Sequence, residues 1–508
     1  MTSLEGFKSG NKALKPIVTT KTSKVEESTS KEEEEEEPLS PASRLFHEPS
    51  YNCYIIVTMR FKEKIDVDVF KSGIEKSLAT HPRFSSLHVM DTTKHGEMKL
   101  VQTVVDIENH FYVPHLDPNM NTPDQFVEDY ISNLSKTTIN MSKPLWELHI
   151  LNIKTMESEA VVVFRIHHSL GDGPSVISLL LSCCRKISNP EAVPTVATRK
   201  RLVSMTMINS NIFLWWFLKI YAIFRLVWNT IVDISICTAV SVYLKDVHTP
   251  LKGPPGVEFR PRRFVHRTVS MDDIKLVKSA TNSTINDVVV GVATAGLSRY
   301  LNRIYGKNTI EEEKNNLPKN IWITASIPVN LRGSAEIQDL TEMMENRIQK
   351  IKLSNKIGSI LFPFAIALRH NPLDYIWDAK ATIDRKKQSL GAKYLFFFSN
   401  LIAKIFGYKV ATALFNRGLL HISAIFSNIA GPLEEISMFG NPVESIGVSV
   451  YGLAEAFTLH FHSYAKKMTM VLSVDEDTIP DPHHLCDDLE ESLRLIKDAA
   501  IASRIMRN

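Results

Sequence analysis

The chain has 508 residues, 44% hydrophobic and 23% charged, with 59 basic against 56 acidic side chains and a formal net charge of +3. Those proportions exclude a chain disordered throughout, a collagen-like fibre and a polytopic membrane protein. The near balance of charge excludes the strongly basic surface of a nucleic-acid binder.

At about 150 residues per domain the length predicts two or three domains, each able to bury its own core. Five cysteines (Cys53, Cys183, Cys184, Cys237, Cys486) are odd in number and lack Cys-x-x-Cys spacing. That argues against a disulfide scaffold or structural zinc and for a reducing compartment. The first residues, Met1-Thr2-Ser3-Leu4-Glu5, open no apolar run of the secretory type, so the folded part is expected to face the cytosol.

Residues 1–38 are dominated by Lys, Glu, Ser and Thr and end in the run Glu32–Glu37, a composition that predicts a disordered acidic tail. A first lobe is expected over 39–188. Tyr54–Met59 reads as a strand, and Val67–Thr80 as a helix with Val69, Phe70, Ile74 and Leu78 on one face. Pro123–Lys136 reads as a second helix. Trp146–Ile153 and Ala160–His167 read as strands, the latter apolar enough to be buried. Gly171-Asp172-Gly173-Pro174 is a turn, with Pro174 opening a helix to Lys186.

A linker over 189–260 follows. Within it, Asn211–Leu244 carries only Lys219, Arg225 and Asp233 as charges. Its length approaches the roughly 20 apolar residues needed to span a bilayer, although Asp233 opposes insertion. Basic residues at both ends (Arg199, Lys200, Arg201; Arg260, Arg262, Arg263) give no orientation.

A second lobe is expected over 261–508. It contains a strand at Arg267–Val269, a helix Met271–Ala280 and a helix opening at Ile285 with Asn286 or Asp287 as cap. Ile321–Pro328 follows as a strand, Ala379–Leu390 as a basic helix, and Leu459–Tyr464 with Met468–Val474 as a hairpin.

The sharpest chemical signal is His167-His168-Ser169-Leu170-Gly171-Asp172-Gly173, between an apolar strand and a helix. Neighbouring strand residues point to opposite faces, so one of the two histidines can face a given cleft and the pair does not bind one metal. His460 and His462 share a strand face without an evident third ligand, which favours packing over metal binding. Lys386 and Lys387 are candidates for the phosphates of an anionic ligand or simply solvated on a basic helix.

With this motif the sequence resembles the acyl-CoA-dependent acyltransferases of chloramphenicol-acetyltransferase-like fold, and within them the plant wax ester synthase/diacylglycerol acyltransferase family. The resemblance is carried by Pro38-Leu39-Ser40-Pro41, Pro144-Leu145-Trp146-Glu147, the histidine motif and Asn286-Asp287-Val288-Val289. It continues through Val329-Asn330-Leu331-Arg332, Ser427-Asn428-Ile429-Ala430-Gly431-Pro432 and Val474-Asp475. Gly333, and Gly452-Leu453-Ala454-Glu455-Ala456, depart from the usual pattern. The Asp-Phe-Gly-Trp-Gly segment of specialised-metabolite acyltransferases is absent.

The resemblance implies a two-lobed α/β fold with mixed sheets, a tunnel between the lobes and a membrane-associated apolar segment. It implies His168 as general base, supported by His167, Asp172 and Gly173, with Asp172 in an ion pair to an Arg. Ser427 or Asn428 becomes a candidate for the oxyanion or the tunnel wall. No metal or cofactor is implied, because acyl-CoA is a substrate. Its acyl group would pass to a long-chain fatty alcohol or diacylglycerol at a membrane lipid surface, that of the endoplasmic reticulum or the plasma membrane. The alternatives are another hydroxyl or amine acceptor, or a lipid-binding protein with a dead tunnel. Because a single span would part the lobes, Asn211–Leu244 is expected to be re-entrant or interfacial, as two short helices over 212–224 and 226–244.

Overall fold

A computed structural model describes residues 37–91, 97–117, 119–196, 212–306, 315–332 and 351–505. The acidic tail to residue 36, the Arg199-Lys200-Arg201 cluster and Gly333 lie outside them. In chain order the strands are β1 (Glu37–Pro38), β2 (Tyr54–Phe61), β3 (Ser86–Met90), β4 (Met98–Gln102), β5 (Phe111–Tyr112), β6 (Trp146–Leu151), β7 (Ala160–His167) and β8 (Cys184–Lys186). They continue as β9 (Arg263–Ser270), β10 (Ile321–Asn330), β11 (Ile357–Ile366), β12 (Ala424–Ile429), β13 (Ile436–Met438), β14 (Asn441–Tyr451), β15 (Phe457–Tyr464) and β16 (Lys467–Val474).

A seven-stranded sheet runs β5-β6-β7-β2-β14-β13-β8 and a six-stranded sheet runs β11-β10-β12-β15-β16-β9, with β1-β4-β3 as a small third. The run Ala160-Val161-Val162-Val163-Phe164 makes β7, which is buried along its whole length between β6 and β2. A strand without polar alternation suits a position covered on both faces. Arg165 interrupts the run and is satisfied in place: it stands opposite Glu147 in register, donates to its Oε2 at 3.0 Å, and donates from Nε to the Tyr451 hydroxyl at 2.7 Å.

β14 belongs to the C-terminal half of the chain yet pairs antiparallel with β2 in the first sheet. The chain then turns at Gly452 (φ 88°) and returns as β15 in the second sheet. A Cβ on Gly452 would lie 2.1 Å from the Asn52 carbonyl oxygen, so both the backbone angle and the space require glycine. One core gathers Val57, Trp146, Phe164 and Leu179 with Ile351, Leu353 and Tyr451 from far along the chain, while the other gathers Val288, Leu297, Phe426 and Leu472.

Several elements differ from the sequence reading. Glu37 and Pro38, read as the end of the disordered tail, pair with β4, and Glu37 holds Arg83 at 2.9 Å. The helix after the histidine turn is Gly173–Ser182, and Cys184–Lys186 leaves it to pair with β13. Thr284, rather than Asn286 or Asp287, caps the helix Ile285–Gly306. Asp287 Oδ2 accepts from the Thr284 N–H at 2.7 Å while Thr284 Oγ1 accepts from the Asp287 N–H at 3.3 Å, a reciprocal capping box.

The apolar segment is one helix, Ile212–Val242, of 31 residues rather than two short ones, because neither Pro nor Gly interrupts it. Among the described residues it is the one helix long and apolar enough to cross a membrane by length and composition. Asp233 within it is met by Lys386 Nζ at 2.7 Å and Arg385 Nη1 at 3.2 Å. That corrects the reading of Lys386, which is a buried counter-ion and neither solvated nor free for a phosphate; Lys387 pairs with Asp384 at 3.1 Å.

Candidate active site

β7 ends at the histidine pair, and the two rings enter different surroundings. His167 is buried in the first lobe, its Nδ1 2.6 Å from Ser169 Oγ and its Nε2 2.9 Å from Asn52 Oδ1. Burial, with His47 and His88 close by, holds it well below the ordinary histidine value. The His168 N–H donates to the Cys53 carbonyl at 2.9 Å, so backbone pairing continues one residue past the strand. Its ring turns out of the sheet, is only partly buried, and stacks on Phe46 with centroids 4.3 Å apart. Burial lowers the His168 pKa, and the Asp172 carboxylate opposes that shift.

The tautomer of His168 follows from one amide. Asn355 Nδ2 lies 2.9 Å from the His168 carbonyl oxygen, which can only accept, so that atom must be the NH₂. The other amide atom, Oδ1, therefore faces His168 Nδ1 at 3.1 Å and can only accept from it. Nδ1 carries the proton and Nε2 the lone pair. Nε2 makes no hydrogen bond among the described residues, and the same Asn355 NH₂ reaches Ser43 Oγ at 2.8 Å.

Asp172 is fully buried and does not bond His168; it holds the turn. Its Oδ1 caps the following helix by accepting from the Ser175 N–H at 3.0 Å. Its Oδ2 accepts from Arg332 Nη2 at 2.8 Å and from the Lys356 N–H at 3.1 Å. The Arg of the expected ion pair is thus Arg332 of Val329-Asn330-Leu331-Arg332, itself nearly inaccessible. Gly173 has no left-handed backbone. It supplies room, since a Cβ there would approach Ile429 Cδ1 to 3.1 Å.

The second sheet faces this point with Ser427 on β12 and His460 on β15, which are register partners and share a face. Burial holds His460 down to about 4, with His168 near enough to contribute; His462 is also near 4. No metal-holding cluster of three His, Cys, Asp or Glu occurs among the described residues. Asn428 is engaged by Asn286, donating to its Oδ1 at 2.5 Å, whereas the Ser427 hydroxyl makes no side-chain hydrogen bond among the described residues. Trp146 is packing: its ring is buried and its indole N–H donates to the Phe84 carbonyl at 2.9 Å.

Sequence reasoning missed three residues. Asn355 stands 187 positions from the histidine it bonds, with no local signal around it. Phe46 follows the short Pro41–Leu45 helix, capped by Ser40, and stacks on the histidine. Glu455, in the atypical Gly452–Ala456 loop, is 1% exposed, and neither carboxylate oxygen has a partner among the described residues. Burial pushes it up to about 7.

Comparison with known proteins bears on this geometry. Residues 47–289 match the model of the wax ester synthase/diacylglycerol acyltransferase catalytic domain, and residues 353–497 that of the WS/DGAT C-terminal domain. The chain is similar to wax ester synthase/diacylglycerol acyltransferase 11 of Arabidopsis thaliana, 46% identical over 94% of this chain and 98% of that one. Wax ester synthase/diacylglycerol acyltransferase 4 of the same plant is 45% identical over 92% and 91%. Among solved structures, a wax ester synthase/diacylglycerol acyltransferase from Marinobacter aquaeolei VT8 has a TM-score of 0.57 at 17% identity, covering 91% of this chain and 99% of that one. A starter condensation domain of rhizomide synthetase, solved with C8-CoA, has a TM-score of 0.51 at 12% identity, over 91% and 92%. These likenesses show the fold, the two-lobed α/β architecture of chloramphenicol-acetyltransferase-like enzymes.

Two outcomes follow from the buried charges. Arg332→Ala leaves Asp172 without its cation and should lower stability by about 3–5 kcal/mol in urea unfolding. Glu455 is protonated more readily folded than unfolded, so its favourable contribution is full below the ordinary 4.5 and lost as pH rises through about 7. Glu455→Gln should therefore gain about 3 kcal/mol relative to the parent at pH 8 and little at pH 4.5, read by urea unfolding at both values.

Proposed function

Because the chain belongs to the wax ester synthase/diacylglycerol acyltransferase family, we propose that it transfers a long-chain acyl group from acyl-CoA to a fatty alcohol, and also to diacylglycerol, with His168 as general base. The protein is an acyltransferase; donor, acceptors and residue roles are inferred from the site. The carrying observation is the His168 ring, with its Nδ1 proton held by Asn355 and no hydrogen bond to its Nε2 among the described residues. The wall beside it is apolar: Cys53, Ile425 and Leu453 cluster with Phe46 and Tyr51, which supports oily substrates over polar ones.

In this reading Nε2 takes the hydroxyl proton as the alcohol oxygen bonds the thioester carbon. The tetrahedral intermediate collapses with cleavage of the C–S bond, and the proton on Nε2 passes to the departing sulfur. Ester and free CoA result, with no covalent acyl-enzyme and no cofactor consumed. A positioned base contributes roughly 10²–10⁴-fold. The Ser427 hydroxyl, on the His460 face of the second sheet, is the proposed donor to the oxyanion. We propose that the reaction takes place at the endoplasmic reticulum membrane, and also at the plasma membrane, with both lobes on the cytosolic side; the Ile212–Val242 helix supports the membrane and bears on neither the compartment nor the side.

Purified protein given labelled palmitoyl-CoA should form wax ester with fatty alcohol and triacylglycerol with diacylglycerol in parallel assays. His168→Ala should abolish both, and unchanged product from that variant would overturn the assignment. Since the His168 pKa is lowered, the base form predominates at neutral pH; kcat/KM should be flat above about pH 7 and fall as acid protonates the ring. Asn355→Ala should lower kcat about 10²-fold with KM little changed, because the ring loses its fixed tautomer. Asn355→Asp, which sets a carboxylate beside Nδ1, should move the acid limb to higher pH.

A further inference from the structure

The Ile212–Val242 helix is held along one face and bare along the other, with Trp228 and Ile231 of its second half also more than half exposed. Its second half is latched to the body: Asn229 donates to the Gln388 carbonyl at 3.0 Å, Thr230 Oγ1 accepts from the Leu390 N–H at 3.0 Å, and Asp233 is held by Lys386 and Arg385. Arg417 donates to the Val242 carbonyl at 2.8 Å, and His421 bonds that of Val240. Its first half exposes Trp216, Phe217, Ile220 and Phe224, each more than half accessible.

The helices Gly391–Phe406 and Tyr408–His421 pack against each other and against this helix. They extend the apolar surface with Phe397 (71% exposed), Phe398, Ile405 and Phe406. The layer is also charge-asymmetric: Lys219, Arg225, Lys393, Lys404, Lys409 and Arg417 are exposed cations, and its one acidic residue, Asp233, is neutralised internally.

The layer is continuous with the reaction centre. Phe415 of the Tyr408–His421 helix lies 6.2 Å from the Tyr51 ring, Tyr51 stacks on Phe46 at 5.2 Å, and Phe46 stacks on His168 at 4.3 Å. Leu45 of the Pro41–Leu45 helix packs on Ala403 and Ala411, one from each of the two later helices.

We propose that these three helices form a monotopic platform lying in one leaflet of an anionic bilayer. The oily acceptor then reaches His168 from within that leaflet along the Phe415–Tyr51–Phe46 wall. Exposed aromatic and aliphatic side chains among cations that have no carboxylate partner among the described residues are the chemistry that an anionic lipid interface receives. The latched half of the first helix holds the platform flat, because crossing the bilayer would pull Asp233 from Lys386 and the helix from the lobes. The route rests on the acyl-transfer reading; the platform does not.

The test uses the full chain with sealed vesicles of phosphatidylcholine, alone or with about one third phosphatidylserine. The parent should float with the anionic vesicles at least about tenfold more than with the neutral ones. A Phe397→Ser/Phe398→Ser/Ile405→Ser/Phe406→Ser variant should lose binding about tenfold or more. Its transfer to long-chain alcohol supplied in vesicles should fall in parallel, while transfer to a water-soluble short-chain alcohol stays within about twofold.

Lys393→Glu/Lys404→Glu/Lys409→Glu, which leaves the apolar surface intact, should lose the preference for anionic vesicles. Unchanged binding by the serine variant overturns the platform, and equal loss with both alcohols overturns the route. Ile220→Cys and Lys409→Cys variants tagged by an impermeant reagent from opposite sides of the vesicle would show a span and overturn the monotopic arrangement. A parent that binds vesicles but acylates neither alcohol defeats the acyl-transfer reading and the route, and leaves the platform supported.

Discussion

A carboxylate removed from water is stable only where cations and N–H donors replace its lost hydration, and Asp172 takes most of its replacements from across the seam. It lies four residues after His168, while Arg332 and the Lys356 N–H come from the second half of the chain. The same guanidinium grips the Ser354 carbonyl and hydroxyl at 2.8 and 2.7 Å, which fixes the residue before Asn355. Asn355 then returns to His168 at both its ring and its carbonyl. The contacts form a closed circuit from histidine to turn to ion pair to amide and back, so the ring's orientation is a consequence of how the lobes are joined.

That circuit explains why two adjacent histidines do different things. His167 belongs to a buried group with His47, His88 and Ser169, in which each ring is held neutral by desolvation. Neutral neighbours matter for His168 in its proposed role, because a cation beside it would disfavour the imidazolium that a general base must form. His168 instead has Asp172 near enough to favour that charge, without the direct bond that would occupy a ring nitrogen. Burial keeps the ring basic-form at neutral pH, and the nearby carboxylate keeps protonation accessible.

The parts legible in the sequence are those set by neighbours in the chain. The β-branched run of β7, the turn at Gly171-Asp172-Gly173 and the hairpin of β15 and β16 all declared themselves through local periodicity and turn chemistry. The ion pair of Asp172 came from family resemblance, and its partner could be named only once Arg332 was seen against it. Asn355 and Phe46 were invisible because nothing near them in sequence records what they touch 187 or 122 positions away in the case of the amide and the ring (355 − 168 and 168 − 46). Lys386 was misread for the same reason: a basic helix looks solvated until Asp233 of a distant helix is found against it.

An exposed apolar layer of this size is a liability in water, where contiguous patches beyond a few hundred Å² mark interaction sites or aggregation. The proposed reaction would give it a reason. In that reading acyl-CoA carries a charged, water-soluble head, whereas a fatty alcohol or diacylglycerol resides in lipid, so the one proposed base would be reached from two solvents. The His168 ring meets that requirement by its position: Phe46 and the aromatic wall lie on one side, and the buried polar circuit of Asp172, Arg332 and Asn355 on the other. A spanning helix would contribute nothing to this arrangement, whereas the proposed flat platform would place the oily side of the site at the depth where the proposed acceptor is dissolved.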